Sequence, residues 1–131
     1  MSKHIANIKS LVEVNGLCFG MPMQTCLTQL GEPDTMLPNY TEEIELLYGD
    51  YFLRFFNNRF VECTFPNTYH FVVDGVSILD IYEWLGGFDT TIDKAKFRIS
   101  LLHGIAVDAR NKAALSTTIF EPGRWDHLAL G

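Results

Sequence analysis

The chain has 131 residues, with 16 acidic and 10 basic side chains, a formal net charge of −6 and a pI near 5.0. This balance argues against a nucleic-acid binder, which needs a basic face to release counterions from phosphates. Hydrophobic content of 47% with 20% charged residues is that of a globular chain, neither disordered nor membranous.

The opening "MSKHIANIKSLVEV" has no continuous apolar region and no small-residue cleavage pattern, and no window approaches the apolar run of a membrane helix. A cytoplasmic protein is expected. "SLVEV" before Asn15 and Gly16 reads as a strand entering a tight turn. Met23, Cys26, Leu27 and Leu30 then fall at i, i+3, i+4 and i+7, one stripe of a short helix with Pro22 at its first turn and Gly31 at its end. "EPDTMLPNYTEE" reads as a polar loop. A meander over 44–48, 51–56 and 60–65 follows, with hairpin turns at "YGDY" and "FNNRF".

"YHFVVDG" is a second strand before a second helix, which carries Ile78, Ile81, Tyr82 and Leu85 on one stripe, opens with Ser77 three residues before Asp80 and closes at Gly86 and Gly87. After the loop "GFDTTIDKAK", strands are expected at 96–102, 105–109 and 115–120, and "RWDHLAL" adds an edge strand, with Trp125 anchoring the terminus against the sheet. The expected fold is α+β: two similar α-β-β-β units forming one antiparallel sheet, with helices packed on one face.

The duplication is legible directly. At a shift of 55, Gly20 to Gly49 lies on Gly75 to Gly104 without a gap and gives nine identities in thirty positions, among them Gly31/Gly86, Asp34/Asp89, Ile44/Ile99 and Gly49/Gly104. Residue frequencies would give about two. One domain is expected, with units at 10–65 and 69–120 and a tail at 121–131.

Alternation along the first meander, with a three-residue turn at "NNR", places Leu46, Tyr48, Tyr51, Leu53, Phe55, Val61, Cys63 and Phe65 on the core face. Glu45, Leu47, Phe52, Arg54, Phe56, Phe60 and Glu62 then lie on the other face. A two-residue turn would swap the faces of the third strand. The outer face is more apolar than a solvated sheet requires, with charges at its edge, which is the composition of an interaction surface. Phe52, Phe56, Phe60 and Leu47 are the candidate anchors, with Arg54 among them and Glu43, Glu45 and Asp50 as charges complementary to a basic partner. Arg98, Ser100, Leu102, Ala106 and Asp108 would make the corresponding face of the second unit more polar.

No catalytic constellation stands out. His4, His70, His103 and His127 lack metal-ligand spacing. Cys18, Cys26 and Cys63 are odd in number and widely spaced, and read as small buried hydrophobes. No cofactor is expected. Asp34 and Asp89, matched between the repeats, suit turn bonding.

The stretch "GLCFGMPMQTCLTQLGEPD" leading into "LLYGDYFLRF" resembles a pattern of small bacterial helix-plus-sheet proteins, and two such repeats resemble the architecture of the beta-lactamase inhibitor proteins and of immunity proteins for bacterial toxins. The resemblance implies a cytoplasmic, non-catalytic protein that occludes a toxin or enzyme with the outer face of its first meander. A small-molecule or regulatory module with its ligand between sheet and helices, and a homodimeric scaffold, are the alternatives.

Overall fold

The computed structural model describes residues 4–38 and 42–130. In chain order the elements are β1 (Ile5–Lys9), β2 (Glu13–Val14), β3 (Leu17–Cys18), α1 (Met23–Leu30), β4 (Thr35–Pro38), β5 (Glu43–Tyr48), β6 (Tyr51–Phe56) and β7 (Arg59–Pro66). They continue with β8 (His70–Val73), β9 (Val76–Ile78), α2 (Ile81–Leu85), β10 (Ile92–Lys94), β11 (Phe97–Ser100), β12 (Ile105–Asp108), β13 (Ser116–Phe120) and α3 (Asp126–Leu130). The content is mixed and mostly β.

Two sheets form where one was expected. The smaller has the order β3-β2-β1-β8-β9, and the larger β10-β11-β12-β13-β7-β6-β5-β4. All pairings are antiparallel except β1 with β8, which is parallel. The smaller sheet is built on two tight turns, Asn15–Gly16 and Asp74–Gly75, whose φ values are 50° and 82° in one and 51° and 83° in the other. Glycine takes such angles freely and Asn or Asp tolerates them, which explains the shared Asx-Gly pattern.

Ala6, Ile8, Val14, Leu17, Phe71 and Val73 of the smaller sheet pack into one core with Leu46, Leu53, Phe55, Phe65, Val107 and Ile119 of the larger one. Cys26 of α1 and Ile81 and Leu85 of α2 join this core, with Met23, Leu27 and Leu30 partly buried against it. α1 spans the expected residues and Gly31 ends it at φ 84°. α2 starts later than its stripe suggested: Ile78 belongs to β9, and Asp80, rather than Ser77, caps the helix by accepting the Glu83 N–H at 3.2 Å.

The loops after both helices contain short edge strands, β4 and β10, that the polar reading missed. Asp34 immediately precedes β4, and its carboxylate accepts the Gly49 N–H at 2.6 Å and ties the loop to the β5–β6 turn, as turn bonding predicted. The other tail reading is corrected. "RWDHLAL" forms no edge strand; it ends in α3, and Ala129 packs with Ile99, Ala106 and Phe120 in a second, smaller core on the opposite side of the larger sheet.

The in-phase match of 44–49 with 99–104 does not carry over to faces. Ile44 lies opposite Phe55 on the inner, core side, whereas Ile99 lies opposite Ala106 on the outer side. In this alignment β11 takes the opposite parity to β5, although the β5–β6 and β11–β12 connections, which pair Tyr48 with Tyr51 and Ser100 with Ile105, relate their strands in the same way. Arg98 and Ser100, expected outside with Ala106 and Asp108, therefore face inward; Arg98 lies 3.9 Å over the Tyr82 ring of α2.

Candidate functional site

The outer face of β5, β6 and β7 is organised in rows set by strand register. One row runs Thr35, Leu47, Phe52, Thr64, Thr118, and the next runs Leu37, Glu45, Arg54, Glu62, Phe120. Thr64 and Thr118 share a hydrogen bond of 2.8 Å between their hydroxyls. The second row is ionic at its centre. Arg54 donates to Glu62 at 2.6 Å and to Glu45 at 2.8 Å, with Glu43 3.7 Å from its Nε.

The tail completes this network. Arg124 donates to Glu62 at 2.8 Å and to Glu43 at 3.0 Å, and the Trp125 indole N–H points at Glu62 from 3.4 Å. Glu62 is only 3% exposed, so two guanidiniums and an indole surround a carboxylate taken out of water. Burial alone would lower the Arg124 pKa, but Glu62 and then Glu43 outweigh it and hold the guanidinium protonated. Trp125 stacks on Phe120 at 5.5 Å and meets Phe97 edge-on at 5.7 Å, which anchors the terminus as its sequence position suggested.

Six of the eight candidate residues lie on this face, with their roles redistributed. Leu47, Phe52 and Phe56 are half-buried there, and the Arg54 guanidinium sits 5.4 Å from the Phe52 ring centre. Glu43 and Glu45 are engaged within the chain, holding Arg54 and Arg124, instead of standing open to a basic partner. Asp50 lies in the β5–β6 turn and accepts the Tyr69 hydroxyl at 2.7 Å.

Phe60 is a correction. It is 0% exposed on the inner face, stacked on Phe19 at 5.1 Å and beside Phe55 at 5.7 Å. The turn is the two-residue one, Asn57 and Asn58 at φ 49° and 60°, which pairs Phe56 with Arg59 and turns Phe60 inward. A β-bulge at Val61 then restores the expected parity, so Glu62 still faces out and Cys63 and Phe65 still face in. Two departures from the simple register cancel after one residue.

Leu37, 50% exposed at the edge of the same face, and the Glu62–Arg124 contact were not anticipated. The signal for Leu37 was the short "TML" between Pro33 and Pro38; the ion pair spans 62 positions and leaves no local trace.

Cys63 is fully buried and burial raises its thiol pKa well above the ordinary value, while burial pushes Cys26 up to about 11, so both act as apolar filling. Cys18 is exposed, contrary to the expectation for all three. His103 packs between Trp84 and Phe88, its Nδ1 2.8 Å from the Ser100 hydroxyl. Among the described residues no group of His, Cys, Asp and Glu has metal-binding geometry, and no helix is long and apolar enough to cross a membrane. No protein-family model, curated protein or solved structure matches the chain.

Proposed function

We propose that this chain is a non-catalytic protein-binding module, a cytoplasmic immunity or inhibitor protein that occludes a toxin or enzyme through the outer face of β5 and β6. The observation that carries the reading is the cluster of Leu47, Phe52 and Phe56, all half-buried on regular strands, around an Arg54 fixed by three carboxylates. Aromatic and arginine side chains dominate binding hot spots, and side chains already held in place lose little freedom on binding. Leu37 extends the patch to the edge of the sheet. The charges act differently from the simplest expectation: Glu43 and Glu45 orient Arg54, and the −6 net charge steers a basic partner from a distance.

The two-unit reading is supported by topology. The order strand, strand, helix and four strands occurs from β2 to β7 and again from β8 to β13, and the larger sheet runs outward from a central β7–β13 pair through the same succession in both directions. The opposite parity of β11 sets the second unit's outer face apart from the first.

The test is capture of partners from the source organism by the tagged chain, compared with a Phe52→Ala variant. A basic toxin or enzyme domain is expected, with affinity lowered by about 2 kcal/mol or more, roughly thirtyfold. Equal capture by the variant would remove the site from this face, and a chain that recovers only itself, with doubled mass in solution, would replace the reading with a homodimer.

A further inference from the structure

The smaller sheet ends at β9, whose free side pairs with no other described strand. The two-residue Asp74–Gly75 turn closes on the Val73–Val76 pair, so backbone alternation turns the N–H and C=O of Val76 and Ile78 toward β8 and those of Ser77 outward. The other edges carry the usual protections: β4 ends in Pro38, β10 holds Asp93 and Lys94, and β3 is two residues long. β9 has neither proline nor charge, and beyond it Asp80 is still extended, at φ −139° and ψ 106°. Val76 is 54% exposed and Leu79 fully so.

Alongside this edge, between β9 and α2, runs an open groove of about 470 Å³. Val76, Leu79 and the half-buried Trp84 give it apolar walls. Trp84 is held in place by Phe88 at 4.9 Å and His103 at 5.0 Å. The charged groups lining the groove are Asp80, whose Oδ1 accepts the Glu83 N–H, and Glu83 itself, which is exposed on α2. Both are acidic. Arg98, which also feels the Glu83 charge, lies outside the lining and donates to Asp93 at 2.9 Å and to the Tyr82 carbonyl at 3.1 Å.

We propose that this groove takes an extended basic segment of another protein, added as a further strand on β9. The incoming strand exchanges backbone hydrogen bonds with Ser77 and sets alternate side chains in the groove. One is apolar, against Val76, Leu79 and Trp84; the other, two positions along, is a lysine or arginine directed at Asp80 and Glu83. A helical partner would leave the Ser77 backbone groups without partners, and a second copy related by a two-fold axis would set the same acidic rim against itself. The groove belongs to the smaller sheet and shares no residue with the Phe52 face, so either can bind without the other.

The test uses a short blocked peptide in which threonine alternates with valine, valine, lysine and arginine, titrated into the isotope-labelled full chain and read by NMR. Saturable shifts are expected at the Ser77 and Leu79 amides and at the Trp84 indole. Glutamate in both basic positions of the peptide is expected to weaken binding about tenfold, and Glu83→Gln about threefold. Leu79→Ser, at a fully exposed position, is expected to weaken it about fivefold with thermal melting unchanged. N-methylation of alternate peptide amides separates strand pairing from mere contact: methylating the set that faces β9 is expected to abolish binding, and methylating the other set to leave it unchanged. Absence of saturable shifts, shifts centred on another surface, equal binding of the glutamate peptide, or equal behaviour of the two N-methylated forms would overturn the proposal. So would concentration-dependent shifts at Ser77 in the chain alone, which would assign the edge to a second copy.

Discussion

On the inner face of the larger sheet Phe55, Phe60 and Phe65 pack in a continuous apolar core with rings of the loops and the smaller sheet, including Phe19, Tyr69 and Phe71. At the middle of the outer face the same strands present Arg54, Glu62 and Thr64, and an arginine from the far end of the chain completes the arrangement. The inner face is held by area removed from water, which is non-directional and tolerates small shifts. Charge and geometry hold the outer one, so it depends on particular partners being present. On the proposed reading binding uses the outer face, where Leu47, Phe52 and Phe56 are held on regular strands while remaining half-buried.

The contrast can be broken most severely from the inside. Phe65→Ala removes a ring that meets Tyr51, Tyr69 and Phe71, and is expected to cost about 3–5 kcal/mol in urea unfolding. On the outside, Glu62→Ala leaves Arg54 and Arg124 facing each other without their shared carboxylate, an expected loss of about 3 kcal/mol. A double-mutant cycle with Arg124→Ala sharpens this: the double variant is expected to cost much less than the sum of the singles, because both delete one contact. Additive losses would show that the tail is held by other means.

Phe52→Ala should change stability by no more than about 1 kcal/mol, since the ring is half-buried and its role on this reading is toward a partner. A larger loss would make it a core residue. The smallest effect concerns pH. Burial lowers the His103 pKa from the ordinary imidazole value, with Asp74 partly opposing. The unfolded chain therefore takes up the proton first, so stability is complete above about pH 6.5 and declines as pH falls below it. His103→Phe is expected to flatten that decline in melting temperatures between pH 7.5 and pH 5; an unchanged slope would assign it to other groups.

The meander strands and α1 were legible because alternation and the i, i+3, i+4 stripe are local signals. The edge strands β4 and β10 were hidden because edges carry prolines, charges and polar residues that also mark loops. Phe60 was misplaced because an Asn-Asn turn admits either two or three residues, and a bulge has no sequence signature of its own. For the candidate face, residue types and strand membership were readable. The pairing of Glu43 and Glu45 with Arg54 is set across a single hairpin, whereas the arrival of Arg124 and Trp125 at Glu62 depends on contacts 62 and 63 positions apart, which periodicity cannot report.

The central position of β7 has a consequence for biosynthesis. Its partner β13 lies at 116–120, so a growing chain that has completed β7 leaves one edge of that strand unpaired until β13 emerges. At about 5–20 residues per second that interval is roughly 3–10 s. Throughout it the nascent half-sheet is a template for pairing with any neighbouring strand, including the same segment of the next chain on a shared messenger RNA. Synthesis of this protein thus carries a window of co-translational aggregation, which closes only when β13 zips onto β7.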